Sequence, residues 1–142
     1  MRALVAGIIV AGLTTSFAHA SGSCDETTLY KYMDDVKTNM KSLSFEVKQG
    51  NMEQAGVRVD NIIAALEKSK SETPFLFTEK GLEGDELAKR QGDYQEVMDD
   101  TIAVFKALDQ ALENGDKDKL NGLMNEINDQ RKRGHRAFKA DC

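Results

Sequence analysis

Two side chains suited to metal chemistry stand far apart in this sequence, the thioether of Met33 and the imidazole of His135. Sulfur and imidazole nitrogen are both ligands of transition metals, including haem iron. A guanidinium stands four residues before the imidazole, at Arg131, and it could pair with carboxylates of a ligand. What these groups can do depends on the elements that carry them and on whether the fold brings them together.

The first twenty residues have the pattern of a secretory signal peptide. A basic residue at position 2 is followed by an apolar run over 3–13 and by the sequence Ala-His-Ala at 18–20. We therefore expect export to the periplasm and cleavage after Ala20, which leaves a domain of residues 21–142 with His135 as its one histidine. The apolar run is too short to span a bilayer, so an uncleaved membrane anchor is the less favoured alternative.

The chain has two cysteines, Cys24 and Cys142, near the two ends of the expected exported domain. Because export leads to an oxidising compartment, we expect them to form a disulfide. The alternative is a pair of free thiols near frayed ends. If the two cysteines pair, the ends of the fold must meet, which an even number of antiparallel elements achieves and an odd number does not.

The composition favours one helical domain. The 142 residues include one Pro and 6% aromatic residues, too few for the turns and strands of a many-stranded sandwich or barrel. The formal net charge is -5 and no extended basic face is evident, so nucleic acid is not an expected partner.

Four helical segments follow from apolar residues spaced three and four apart. The segments are 25–49, 52–70, 87–114 and one that begins after a cap at Asp116. Gly50 with Asn51 and Asn114 with Gly115 form short turns, and residues 71–84 form the one long connection. This order predicts an all-α protein, an antiparallel up-down-up-down four-helix bundle.

The fourth helix carries the unusual feature. Its stripe predicts that Arg131 and His135 share the buried face with four apolar residues, Leu120, Met124, Ile127 and Phe138. Met33 lies nine residues from Cys24 and His135 seven from Cys142, which puts both about 10 to 13 Å from the same end of the bundle. A thioether and an imidazole that face each other across the core are an axial ligand set for haem iron.

The same residues resemble the cytochrome b562 family of exported four-helix haem proteins. The resemblance rests on the sequence Leu-Tyr-Lys-Tyr-Met at 29–33, on Asp93 and Tyr94, and on His135, which follows the Asn-Gly turn by twenty residues. It covers nearly all of the expected exported domain. The region of the second helix and the following loop is longer than in the family by several residues.

The resemblance implies a role for each matching position. Met33 and His135 would be the axial ligands of one b-type haem, Tyr94 a ring packed against the porphyrin, and Arg131 a contact to a propionate or to the porphyrin edge. Met98 stands where the family often has a second aromatic ring. The remaining residues that would line the pocket are Leu29, Val36, Met40 and Pro74.

Covalent attachment of haem is excluded by two residues. It needs cysteines four and one residues before the histidine, where this chain has Arg131 and Gly134. With methionine and histidine on the two axial positions, the iron has no open site for a substrate, so the expected function is electron transfer rather than catalysis. We expect a monomer that meets redox partner proteins transiently.

Other functions remain open from the sequence. The principal alternative is a haem-free exported bundle that acts as a stress or binding protein. A copper or other metal site built from Met33, Met40 and His135 is less favoured because no second imidazole or thiolate is available. Hydrolysis is less favoured still, because the carboxylates fall mostly on outward helix faces. The basic residues at 131–139 are either a solvated helix end or a partner-docking surface.

Overall fold

The computed structural model describes residues 22–142, and the predicted signal peptide lies outside them. Within 22–142 the chain is all-α, as predicted, and contains no strand. A short 3₁₀ turn, Cys24–Glu26, precedes five α-helices. They are α1 (Thr28–Gln49), α2 (Met52–Ser69), α3 (Phe75–Glu79), α4 (Gly84–Asn114) and α5 (Lys117–Phe138).

The helix ends follow local rules. Gly50 and Gly115 adopt positive φ angles of 78° and 64°, the left-handed conformation that glycine tolerates, and they end α1 and α4. Asp116 caps α5 as predicted, since its side chain accepts a hydrogen bond from the Lys119 amide. Asn51 does not cap α2. Its side chain donates instead to Glu46, at 2.9 Å.

The helix boundaries differ from the prediction in three places, since α2 ends at Ser69 rather than at residue 70, α4 begins at Gly84 rather than at residue 87, and the start of α1 also differs. The first helix begins at Thr28 rather than at residue 25, because the Thr27 hydroxyl accepts from the Tyr30 amide and fixes the first turn there. The long connection contains α3, whose Phe77 side chain is 1% exposed. Burial of this ring holds the connection against the core.

The helices pack in sequence order. Helix α1 lies along α2, α2 along α4, and α4 along α5, whereas the backbones of α1 and α5 form no extended contact in the described part of the chain. Between α1 and α2, Asn61 donates to Asn39 at 3.3 Å; Lys70 and Asp99 form an ion pair between α2 and α4. Helix α4 contributes most to the core, with eight buried residues against six from α2 and four from α5. The largest fully buried side chains of the hydrophobic core are Leu43, Val59, Ile62, Phe77, Phe105, Leu108 and Leu120.

Within residues 22–142, none of the five helices combines the length and the apolar character needed to cross a bilayer.

Candidate functional site

A disulfide joins Cys24 to Cys142, as predicted, with the two Cα atoms 5.6 Å apart. This bond brings the start of α1 and the end of α5 to one end of the molecule. Met33 lies five residues after the start of α1 and His135 three before the end of α5, or about 8 Å and about 5 Å along the helix axes. The thioether and the imidazole are therefore at the same end of the fold.

Met33 belongs to the face of α1 that packs against the core. Four residues of this face were predicted to line a haem pocket or ligate its iron, and all four are half-buried against the core: Leu29, Met33, Val36 and Met40. Met33 lies about 120° around the helix from Asn39, the residue that bonds to α2. Its thioether therefore lies on the flank of α1 away from α2.

The prediction for the buried face of α5 was wrong at Arg131 and His135 and was confirmed at Leu120, Ile127 and Phe138. Arg131 and His135 are both exposed, whereas the buried positions of the helix are Leu120, Ile127, Gln130 and Phe138. The buried face of α5 does not include Arg131 and His135, because α4 packs against the side of α5 that carries Gly134 and Ala137. A side chain added at Gly134 would meet Val97 of α4 at 3.7 Å, and the Ala137 carbonyl accepts a hydrogen bond from α4.

The orientation of α5 about its own axis places the His135 side chain beside the contact with α4 rather than within it. The imidazole lies about 100° around the helix from Gly134, on the flank away from α4. Partial burial, followed by the charges of Arg131 and Lys139, holds the pKa of His135 below its ordinary value of 6.5. The neutral ring, which is the form that binds metals, is thus favoured near pH 7. Arg131 keeps its exposed guanidinium on the same flank, where it donates to the side-chain oxygen of Asn128 at 3.1 Å.

Tyr94 is deeply buried. Its hydroxyl donates to the Ser69 carbonyl of α2 at 2.7 Å, and its ring meets Phe138 edge-on with 5.4 Å between the ring centroids. Burial, with a smaller contribution from Glu72, raises the pKa of Tyr94 far above 10.0. This side chain ties α2 and α4 to the last turn of α5.

Two further predicted lining residues are also interior. Met98, one turn beyond Tyr94 on α4, is 7% exposed, and Pro74 is fully buried at the start of α3. Both belong to the apolar interior of the fold, so any contact they make with a ligand is made from the core side.

Arg90 is a residue that the sequence did not single out. Its guanidinium donates to the Ala137 carbonyl at 3.0 Å, lies 5.2 Å from the centroid of the Phe138 ring and 5.6 Å from that of Phe77, and pairs with Asp93 at 3.5 Å. One side chain thus fastens α3 and α4 to the helix end that carries His135. The only signal in the sequence is its position one turn before Tyr94.

The donor set fits a non-covalently held haem. The described residues supply a half-buried thioether and an exposed imidazole, on flanks of α1 and α5 that face away from α2 and from α4. Both cysteines are consumed by the disulfide, and Arg131 and Gly134 occupy the places that covalent attachment needs. No cluster of three or more His, Cys, Asp or Glu side chains suited to a metal ion occurs within 22–142.

These features define an all-helical protein with one thioether and one imidazole at a common end. The sequence profile of the family described as Cytochrome b562 matches residues 28–139, most of the chain, and the protein belongs to this family. The family consists of haem-binding electron-transfer cytochromes. No curated protein and no solved structure gave a match in the same comparisons.

Proposed function

We propose that this protein is a periplasmic electron carrier that holds one b-type haem non-covalently between Met33 and His135. The observation that carries the proposal is the placement of both ligands at the disulfide-closed end, on the flanks of α1 and α5 that the neighbouring helices leave free. Family membership supports the same cofactor.

The proposed arrangement of the helices is an antiparallel up-down-up-down bundle of α1, α2, α4 and α5. Two-residue turns at 50–51 and 115–116 and the sequential packing of the helices support it. In this arrangement α5 returns beside α1, and the two helices that make no extended backbone contact become the walls of the haem site. Edge insertion between two such helices leaves the hydrogen bonds within each helix intact.

Each chain residue has a separate task in the proposed site. Met33 and His135 would ligate the iron, and Arg131 would neutralise a haem propionate, for which an exposed guanidinium at the rim is better placed than a buried one. Tyr94 and Met98 would form the inner wall together with the half-buried lining residues Leu29, Val36 and Met40 and with Pro74.

A bound haem would supply reversible one-electron exchange between ferric and ferrous iron. Because the two protein ligands would fill both axial positions, the site would have no place for substrate, and we propose a carrier rather than an enzyme. Export, a monomeric state and transient redox partners complete the proposal.

A visible absorption spectrum of the protein from an exporting host tests the proposal. We expect a Soret band, with sharp α and β bands on reduction, and we expect Met33→Ala and His135→Ala each to give a high-spin spectrum. Met52→Ala is the matched control, since Met52 is also half-buried but lies at the opposite end of the fold. A colourless protein that also fails to take up added hemin would reject the haem site.

The exposure of His135 favours one alternative function. A histidine whose side chain is exposed is also compatible with a haem-free exported binding protein, in which Met33 fills space at the edge of the core. The hemin titration separates the two functions, because only the haem protein gives saturable binding that His135→Ala weakens.

A further inference from the structure

We infer that the basic surface at the end of α5 is the docking site for an acidic surface of a partner protein. The basic surface consists of Arg131, Lys132, Arg133, Arg136 and Lys139, and all five side chains are exposed. Its role as the place of electron exchange rests on the proposed function, because three of its cations lie on the same side of α5 as His135.

The first support is the distribution of charge. Five of the 19 Lys and Arg residues fall within 131–139, and none of the 24 Asp and Glu residues does. In a chain of net charge -5, such a segment is a local positive field on an acidic molecule. Such a field orients an approaching partner, because the rest of the molecule repels a negatively charged surface.

The second support is that these charges are not used within the fold. Among residues 22–142, the only ion pair of the basic surface is that of Lys132 with Asp129, at 3.7 Å and well exposed to water. Arg131 bonds to the neutral side chain of Asn128. Helix geometry places Arg131, Lys132 and Lys139 within about 60° of His135 around the axis of α5. Cations that form at most one exposed ion pair within the described fold therefore lie beside the proposed ligand.

The composition of the surface favours a protein over a membrane. A helix that lies on a bilayer presents large apolar side chains beside its cations. The large hydrophobic side chains that are exposed in the described chain are Tyr30, Phe45 and Val57, which belong to α1 and α2. The basic surface has no such anchor, and charge alone makes the salt-sensitive, short-lived contact that a carrier needs.

Binding can be measured with a short peptide of alternating Asp and Glu as the probe. In ¹⁵N NMR titrations of the whole protein, we expect shifts confined to 131–139 that vanish at about 0.5 M salt. Lys132→Glu/Arg136→Glu should weaken binding about tenfold or more. Lys41→Glu/Lys48→Glu changes the net charge equally on α1 and should not. Equal effects of the two variants, or binding to anionic phospholipid vesicles instead of the peptide, would overturn the inference.

Electron exchange gives a second readout that separates this inference from the proposed function. Hexacyanoferrate(III) takes one electron from the reduced protein, and exchange at the basic surface should slow as salt is added. If the net charge of -5 alone governed the rate, the protein would repel this anion, and added salt would accelerate the exchange. Acceleration by salt in a protein with a normal haem spectrum would reject the surface and leave the carrier function intact. Peptide binding by a protein without haem would reject the carrier function and retain the surface.

Discussion

Arg90 donates a hydrogen bond to the carbonyl oxygen of Ala137, so that a side chain of α4 holds the last turn of α5 two residues beyond His135. The same guanidinium covers the rings of Phe77 and Phe138. The end of α5 is therefore positioned by the core, although the proposed ligand itself faces outward.

Replacing Arg90 with Lys should loosen this end of the helix. Lysine keeps the charge but lacks the planar fork that bonds to Ala137 while stacking on the two rings. We expect a loss of about 1 to 2 kcal/mol in the free energy of unfolding, measured by urea denaturation of the haem-free chain, and weaker hemin binding. Arg133→Lys, at an exposed position of α5, should change neither. Unchanged stability in Arg90→Lys would contradict the positioning role.

Phe138 and Phe45 allow the same substitution at a buried and an exposed position. Phe138 is 9% exposed and packs edge-on against Tyr94 and Phe77, whereas Phe45 is 58% exposed. Phe138→Ala should lower the free energy of unfolding by about 3 to 5 kcal/mol, and Phe45→Ala by no more than about 0.5 kcal/mol. Similar losses in thermal or urea unfolding of the two variants would show that the end of α5 is not packed as described.

Tyr94→Phe removes a buried hydroxyl that donates to the Ser69 carbonyl, which keeps its hydrogen bond from the Glu72 amide. We expect a loss of about 0.5 to 1.5 kcal/mol in the free energy of unfolding. Tyr30→Phe, at an exposed ring, is the control and should be nearly neutral.

The pKa of Tyr94 also predicts an alkaline transition. Since burial raises this pKa in the folded state, the unfolded chain loses the phenolic proton first. The contribution of the buried Tyr94 hydroxyl to the free energy of unfolding is complete below pH 10.0 and declines as the pH rises above that value. An absorbance titration should show a tyrosinate component far above pH 10.0 that is absent in Tyr94→Phe. If all tyrosines of the folded protein ionise near the ordinary pKa of 10.0, the Tyr94 hydroxyl is not buried.

Reduction of the bond between Cys24 and Cys142 should destabilise the fold without changing its helix content. The bond closes a loop with a sequence separation of 118, and the chain-entropy relation gives an upper value of about 4 to 5 kcal/mol. Urea unfolding with and without reductant measures the change. Cys24→Ser/Cys142→Ser should match the reduced wild type, and a difference between these two would point to an effect other than loss of the cross-link.

The helices could be predicted because local sequence determines them. The three-and-four spacing of apolar residues found α1, α2, α4 and α5, and Gly50 and Gly115 marked two of their ends through a conformation that other residues avoid. Helix α3 was missed because five residues are too short for a periodic signal. Its stability comes from burial of Phe77, which is a tertiary effect.

The orientation of α5 about its own axis was less predictable than the positions of the helices in the sequence. Gln130 and Gly134 lie toward the core although neither is a typical apolar core residue, and Arg131 and His135 lie outward although they continue the apolar stripe. The contacts of Arg90 and Val97 on α4 decide this orientation, and a single helix does not contain that information. The pairing of Cys24 with Cys142 was predictable, because export to an oxidising compartment favours a disulfide between the two cysteines of the chain.

The cysteine bond makes residues 24–142 a covalent ring. A protease that cuts once in the connection between α2 and α4 would produce two pieces that remain linked through Cys24 and Cys142. The pieces would stay at high effective concentration and could reassemble after the cut. Their separation would require a reductant as well as a protease, so a nick in that connection would be visible only on a reducing gel.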